Sequence, residues 1–173
     1  MDLDTLKIDL KGLKEGLNSF EFDLDDAYFK AVNAPEVSCG SVHVSLDIVR
    51  TESDYFTLDF HEEGTVIVPC DLCLEDMEQP FETSQRLEAK FGIEYSEEDD
   101  LVTVAENEGI LDVTWFVYEF IVLSLPIKHV HAPGKCNPAM IKALEEHSAT
   151  RISEEDERKP IDPRWEALLK LKK

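Results

Sequence analysis

From Thr5 to Ile93, apolar residues recur at every second position in one segment after another. That period is the signal of half-buried β-strands, and it constrains the fold more than any other feature. Leu6, Ile8 and Leu10 alternate with Thr5, Lys7 and Asp9, and Phe20, Phe22 and Leu24 with Ser19, Glu21 and Asp23. The two runs predict a β-hairpin over 5–24, with Gly12 and Gly16 in its connection. Val42, Val44, Leu46 and Ile48 make the next apolar face, then Phe56, Leu58 and Phe60. Glu62-Glu63-Gly64 has turn chemistry, so Thr65–Pro69 is expected to return antiparallel. Phe81–Ile93 alternates again. About six strands with short connections describe an antiparallel meander or a partly closed barrel.

Helical signals are fewer. Asp25 is placed to cap a short helix over 26–32, ended before Pro35. Tyr95–Gly109 is acidic, poor in apolar residues, and reads as a loop. Asp112 is placed to cap a helix over 113–125 that Pro126 stops. That helix is apolar nearly all round and should be the most buried element. Asn137-Pro138 opens a second helix to about His147. Strands first and helices later make an α+β chain, with the two C-terminal helices packed on the sheet and a mobile tail behind them. The expected organisation is one domain over 1–147, a charged flexible linker over 148–161 (SATRISEEDERKPI), and a short amphipathic tail helix over 162–173. In the tail, Asp162 caps, Pro163 starts the turn next to Arg164, and Trp165, Leu168 and Leu169 share one side.

The chain carries 17 Lys and Arg against 38 Asp and Glu, a net charge of −21. Residues 51–127 hold 20 acids with only Arg86 and Lys90 as bases, whereas 128–173 are nearly neutral. Such a surface repels phosphate backbones and anionic membranes, which excludes a broad nucleic-acid-binding face. It is either a solubility device or a surface matched to a basic partner. The longest apolar run, VTWFVYEFIVLSLP, contains Glu119 and falls short of the roughly 20 residues a spanning helix needs. The start, MDLDTLKIDLKG, has no basic stretch followed by an apolar one, so a cytoplasmic protein with reduced cysteines is expected.

Two of the four cysteines form a pair, Cys70-x-x-Cys73, at a predicted strand end. Two thiolates at this spacing point the same way and can share one metal. Zinc wants four ligands, and KHVHAPGKC supplies candidates in His129, His131 and Cys136. One histidine plus Cys136 would complete a closed structural site clipping the helical part to the sheet. The alternatives are an idle reduced pair, with the histidines in a surface loop, and a thioredoxin-like redox pair. Redox chemistry wants the first cysteine at a helix N-terminus, and Pro69 with the acidic flank Asp71, Glu75 and Asp76 opposes it. Cys39 has no metal-ligand spacing. No nucleophile elbow, His-Glu-x-x-His motif or phosphate-cradling glycine loop is present, and RNA-binding signatures are missing as well.

Taken together, VIVPCDLCLED, FETSQRLEAKFGIEY, the acidic loop, WFVYEFIVLSLPIKHVHAPGKC and the basic-apolar tail resemble the bacterial and plant organellar YceD-like family. The resemblance spans roughly residues 5–173. Some members carry a fuller cysteine cluster after the Leu-Pro step, where this chain has His129, His131 and Cys136. The resemblance implies a non-enzymatic role in accumulation of large-subunit (23S) ribosomal RNA, hence in ribosome assembly. Because a chain this acidic is a poor direct RNA binder, the implied partner is a basic ribosomal protein or a pre-large-subunit particle. The tail around Trp165 is a candidate docking element, or else it docks on its own domain. Competing readings are a small zinc-binding or thiol-redox protein using Cys70 and Cys73, and a structural partner with no ribosomal role.

Overall fold

A computed structural model of the chain describes residues 3–98 and 100–147. After a 3-10 turn at Leu3–Leu6 come β1 (Lys7–Asp9), β2 (Gly16–Leu24), α1 (Asp26–Val32), β3 (Gly40–Arg50), β4 (Tyr55–Pro69) and β5 (Asp76–Gly92). Then follow β6 (Ser96–Glu98), β7 (Leu101–Ala105), β8 (Ile110–Asp112), α2 (Thr114–Ser124) and α3 (Pro138–His147). The fold is α+β. Six strands lie in the order β2-β3-β4-β5-β7-β6, antiparallel except for the parallel β5–β7 pair. Of the two architectures expected, the open sheet is the one that forms. It ends in β2 at one edge and β6 at the other, so it is not a barrel.

Alternation decides which face is buried. Val42, Val44, Leu46 and Ile48 of β3 lie beside Phe56, Leu58, Phe60, Val66 and Val68 of β4, and Leu87 and Ala89 of β5 continue the layer. Two helices cover it. In α1 the Asp25 carboxylate accepts from the N–H groups of Ala27 and Tyr28 at 3.0 and 3.3 Å, as an N-cap should. In α2 the Asp112 carboxylate accepts from Thr114 N–H at 2.9 Å. Phe116, Val117, Tyr118 and Ile121 point into the core, and Phe120 meets Phe60 edge-on at 5.2 Å between centroids. The Tyr28 hydroxyl donates to the Thr114 carbonyl at 2.9 Å, tying the two helices together. Helix α2 is less buried than its composition suggests, since Trp115 and Leu123 stay exposed. Asn137 opens α3 by accepting from Ala139 N–H at 2.9 Å. The sheet, α1 and α2 belong to a compact unit of residues 1–136, and α3 to a second unit that begins at Asn137. None of the α3 residues is buried.

Three expectations are corrected. There is no hairpin over 5–24: β1 pairs with β8, and β2 pairs with β3 over nine residues. The Asp9 carboxylate accepts from Lys11 and Gly12 N–H and turns the chain away after β1, while Arg50 holds the Lys11 and Leu13 carbonyls at 3.1 and 2.7 Å. The acidic stretch 95–109 is not all loop, because LVTVA forms β7 and buries Val102 and Val104 against β5. Glu62-Glu63-Gly64 is not a turn. It lies inside β4, which pairs with β5 unbroken from Tyr55 opposite Lys90 to Pro69 opposite Asp76. Gly64 is there because β3 passes too close for a side chain: a Cβ would run into the Ser41 carbonyl oxygen.

Placing Glu62 inside β4 turns its side chain toward the core. It is fully buried, and among the described residues neither carboxylate oxygen has a hydrogen-bond partner. Burial alone pushes its pKa up to about 8, so near neutral pH it is held mostly as the neutral acid. The folded pKa lies above the unfolded one. The native state therefore keeps a proton that the unfolded chain releases, and stability falls as pH rises through that interval. Between pH 5 and 7.5 this group should cost about 1.4 kcal/mol per pH unit. Denaturant midpoints across that range should fall more steeply for the native sequence than for Glu62→Gln. Equal slopes would mean that the carboxylate finds a partner in solution.

Candidate metal centre

The hairpin of β4 and β5 ends in the tip Cys70–Glu75, and local hydrogen bonds shape it. Cys70 N–H donates to the Glu75 carbonyl and Leu74 N–H to the Cys70 carbonyl, both at 2.9 Å. Closing so tightly forces Leu74 to φ 60, a left-handed conformation rare for a branched side chain, with its side chain left exposed. Cys70 and Cys73 are both buried.

The other half comes from the segment after α2. Pro126 ends the helix, with Leu125 already extended. The chain then crosses the hairpin tip and is held there by a reciprocal pair. Asp71 N–H donates to the His129 carbonyl at 2.8 Å, and His129 N–H donates to the Asp71 carboxylate at 2.7 Å. A turn closed by Lys135 N–H to the Ala132 carbonyl at 3.0 Å, with Gly134 at φ 80, brings His131 and Cys136 back to the cysteine pair.

One ligand atom from each of Cys70, Cys73, His131 and Cys136 lies within 4.8 Å of all the others. Cys70 Sγ is 3.8 Å from Cys136 Sγ. His131 Nδ1 is 3.4 Å from Cys73 Sγ and 3.9 Å from Cys136 Sγ. A zinc–sulfur bond of about 2.3 Å and a zinc–nitrogen bond of about 2.0–2.1 Å give a tetrahedron with edges of about 3.8 Å between sulfurs and about 3.6 Å from sulfur to nitrogen. These three distances lie within about 0.3 Å of those edges, and a disulfide bond is far shorter than 3.8 Å. Three sulfurs and one imidazole form a closed set with no position left for substrate, the donor chemistry of a structural zinc site.

Electrostatics in the tip favours a thiolate. Burial opposes ionisation of Cys70, but N–H groups of His131, Cys73 and Leu72 aim at its sulfur and bring the thiol down to about 6. Cys136 goes the other way. Burial and the neighbouring sulfurs of Cys70 and Cys73 push it up to about 11, as expected when one anion in a cluster disfavours the next. A cation held by the four ligand atoms would relieve that conflict.

Of the residues singled out from sequence, Cys70, Cys73, His131 and Cys136 come together. His129 does not join them. Its backbone serves the Asp71 pair, and its Nε2 is buried with no hydrogen-bond partner among the described residues. Cys39 also stands apart. The tail residues Asp162, Pro163, Arg164, Trp165, Leu168 and Leu169, like the expected linker 148–161, lie outside the described residues. The Asp71–His129 pair was invisible in the sequence, since no spacing rule links an acid in one loop to a backbone 58 residues on.

Residues 58–172 match the sequence profile of a family described as large ribosomal RNA subunit accumulation protein YceD. The chain belongs to the YceD family. The matched stretch contains all four clustered residues. The chain is also 33% identical over 122 residues to an uncharacterized protein, YlbN, of Bacillus subtilis (strain 168), covering 70% of this chain and 69% of that protein. No solved structure matches it. No helix among the described residues is long and apolar enough to cross a membrane.

Freshly purified protein should carry one zinc per chain by elemental analysis. Cys70→Ser, Cys136→Ser and His131→Ala should each lower that content, while His129→Ala should keep it. Loss of metal on His129→Ala with retention on His131→Ala would reverse the ligand assignment. Chelation should lower the melting temperature, because metal binding to the native state adds directly to stability.

Proposed function

We propose that this chain is a non-enzymatic ribosome-assembly factor that supports large-subunit (23S) ribosomal RNA accumulation by holding a basic ribosomal protein, free or on a pre-large-subunit particle. The family description supplies the ribosomal direction. The observation that carries the mode of action is the outer face of the sheet. Strand alternation turns Glu21 and Asp23 of β2, Asp47 of β3, Asp59 and Glu63 of β4, and Glu82 and Glu88 of β5 to that side. Arg86, paired with Asp59 at 2.6 Å, and Lys90 are the only Lys or Arg that these four strands place there. A face so one-sided repels RNA and attracts cations. Ribosomal proteins are strongly basic, so the complementarity favours a protein partner over nucleic acid.

Within this reading zinc has a structural role, fixing the segment after α2 to the hairpin tip. The tail residues Asp162, Pro163, Arg164, Trp165, Leu168 and Leu169 are proposed as a second docking element. A thiol-redox role is the second reading, favoured by the lowered Cys70 thiol 3.8 Å from Cys136 Sγ. Stoichiometric zinc would remove it.

Tagged full-length protein should co-sediment with large-subunit precursors at low salt and leave them as salt rises. Exposed charges are screened over about 8 Å at physiological ionic strength, so the association rate should carry most of the salt effect. Protein that stays at the top of the gradient at low salt would count against the ribosomal role. An association rate indifferent to salt would make the acidic face a solubility device.

A further inference from the structure

The side of α2 turned away from the core forms the wall of an apolar groove. Two adjoining clefts of about 410 and 360 Å³ share Glu36, Val122 and Leu123. Around them Trp115 is 51% exposed, Leu123 78% and Ile127 fully. One large apolar residue in water is ordinary, but three around one concave surface mark an interaction site. The fold builds this surface from parts already fixed. Val68 and Pro69 are the end of β4, and Pro126 and Ile127 belong to the segment that the Asp71–His129 pair holds across the hairpin tip.

The rim is acidic, and its acids are positioned by neutral donors. Glu36 accepts from the Tyr118 hydroxyl at 3.1 Å, Glu119 from Trp115 Nε1 at 2.6 Å, and Asp71 from His129 N–H at 2.7 Å. Among the described residues none of the three forms a salt bridge, so their charge is held in place and left uncompensated. An apolar floor with a fixed anionic rim suits an amphipathic helix whose aliphatic side chains enter the groove while lysines or arginines reach the rim. Trp115 is suited to be an anchor, because aromatic residues beside desolvated pockets dominate such interfaces.

We infer that the groove along α2 is a docking site for a basic amphipathic helix of a partner protein. This rests on the assembly-factor reading and names the surface that grips the partner, with the acidic sheet face steering the encounter. It differs from the outer sheet face in kind. Affinity here comes from apolar contact, so truncating Leu123 and Ile127 should change dissociation, whereas sheet charges change association.

The peptide titrations use the full chain carrying Trp165→Phe, which leaves Trp115 as its single tryptophan, and the co-sedimentation uses the chain with Trp165 in place. The probe is a synthetic helical peptide of leucine and lysine, with a counterpart in which glutamate replaces lysine. The basic peptide should bind saturably and shift Trp115 emission to the blue. The acidic peptide should not bind. Leu123→Ser with Ile127→Ser should weaken binding about tenfold or more and leave the melting temperature unchanged, while Ile93→Ser, an exposed apolar residue just past the far end of β5, should leave the affinity within about threefold. Equal binding of both peptides, or binding indifferent to the groove variant, overturns the proposal. So does a stable dimer of the protein that the groove variant dissociates, since the groove would then bind a second copy. Co-sedimentation with ribosomal precursors separates this inference from the reading beneath it. If the groove variant co-sediments like the unmodified protein, the groove inference fails and the assembly role stands. If neither co-sediments while the peptide still binds in the groove, the assembly role fails alone.

Discussion

The continuous pairing of β4 with β5 is what the rest of the molecule depends on. The pairing runs the whole fifteen residues of β4. At one end of the hairpin β5 takes β7 alongside in parallel, which extends the sheet. In the middle its inward face carries α2, whose Phe120 meets Phe60 edge-on. At the other end the ladder stops at Pro69 opposite Asp76, and the six residues between must close on themselves. That closure aims two sulfurs in one direction.

The same hairpin shows how charge and burial are divided in this fold. Alternate residues of β4 go to opposite worlds, with Phe60 and Val66 inward and Asp59 and Glu63 outward. The outward set gives the sheet its acidic face. Glu62 breaks the rule, a carboxyl group on the apolar side with nothing to bond to. Its neutral form is the one compatible with that place, because burial disfavours the ionised form.

Much of this was legible from periodicity. The inward faces of β3 and β5, the caps at Asp25 and Asn137, and the stop at Pro126 follow from local rules, because each depends on residues within a turn or two. What escaped depends on partners far along the chain. The alternation of Leu6, Ile8 and Leu10 marks a strand but cannot say that its neighbour is Ile110–Asp112. Glu62-Glu63-Gly64 has turn chemistry, and only the close passage of β3 explains the glycine. LVTVA was hidden by the acids around it. In the candidate metal centre, spacing singled out the four residues that the fold brings together but left His129 and His131 equivalent. The choice between them is made by a backbone hydrogen bond from Asp71, which no composition reveals.

The arrangement of the four clustered residues also has a consequence for synthesis. Cys70 and Cys136 are 66 positions apart in the chain. At a typical elongation rate of about 5–20 residues per second, Cys70 and Cys73 are made roughly 3–13 s before Cys136. In that interval the nascent hairpin tip is a half-built cage, with two sulfurs and neither His131 nor Cys136 to accompany them. The set is complete only after α2 and the segment behind it have been made. Were zinc to bind, the two sulfurs of the hairpin tip would offer only half of its four ligands until the far loop supplies His131 and Cys136.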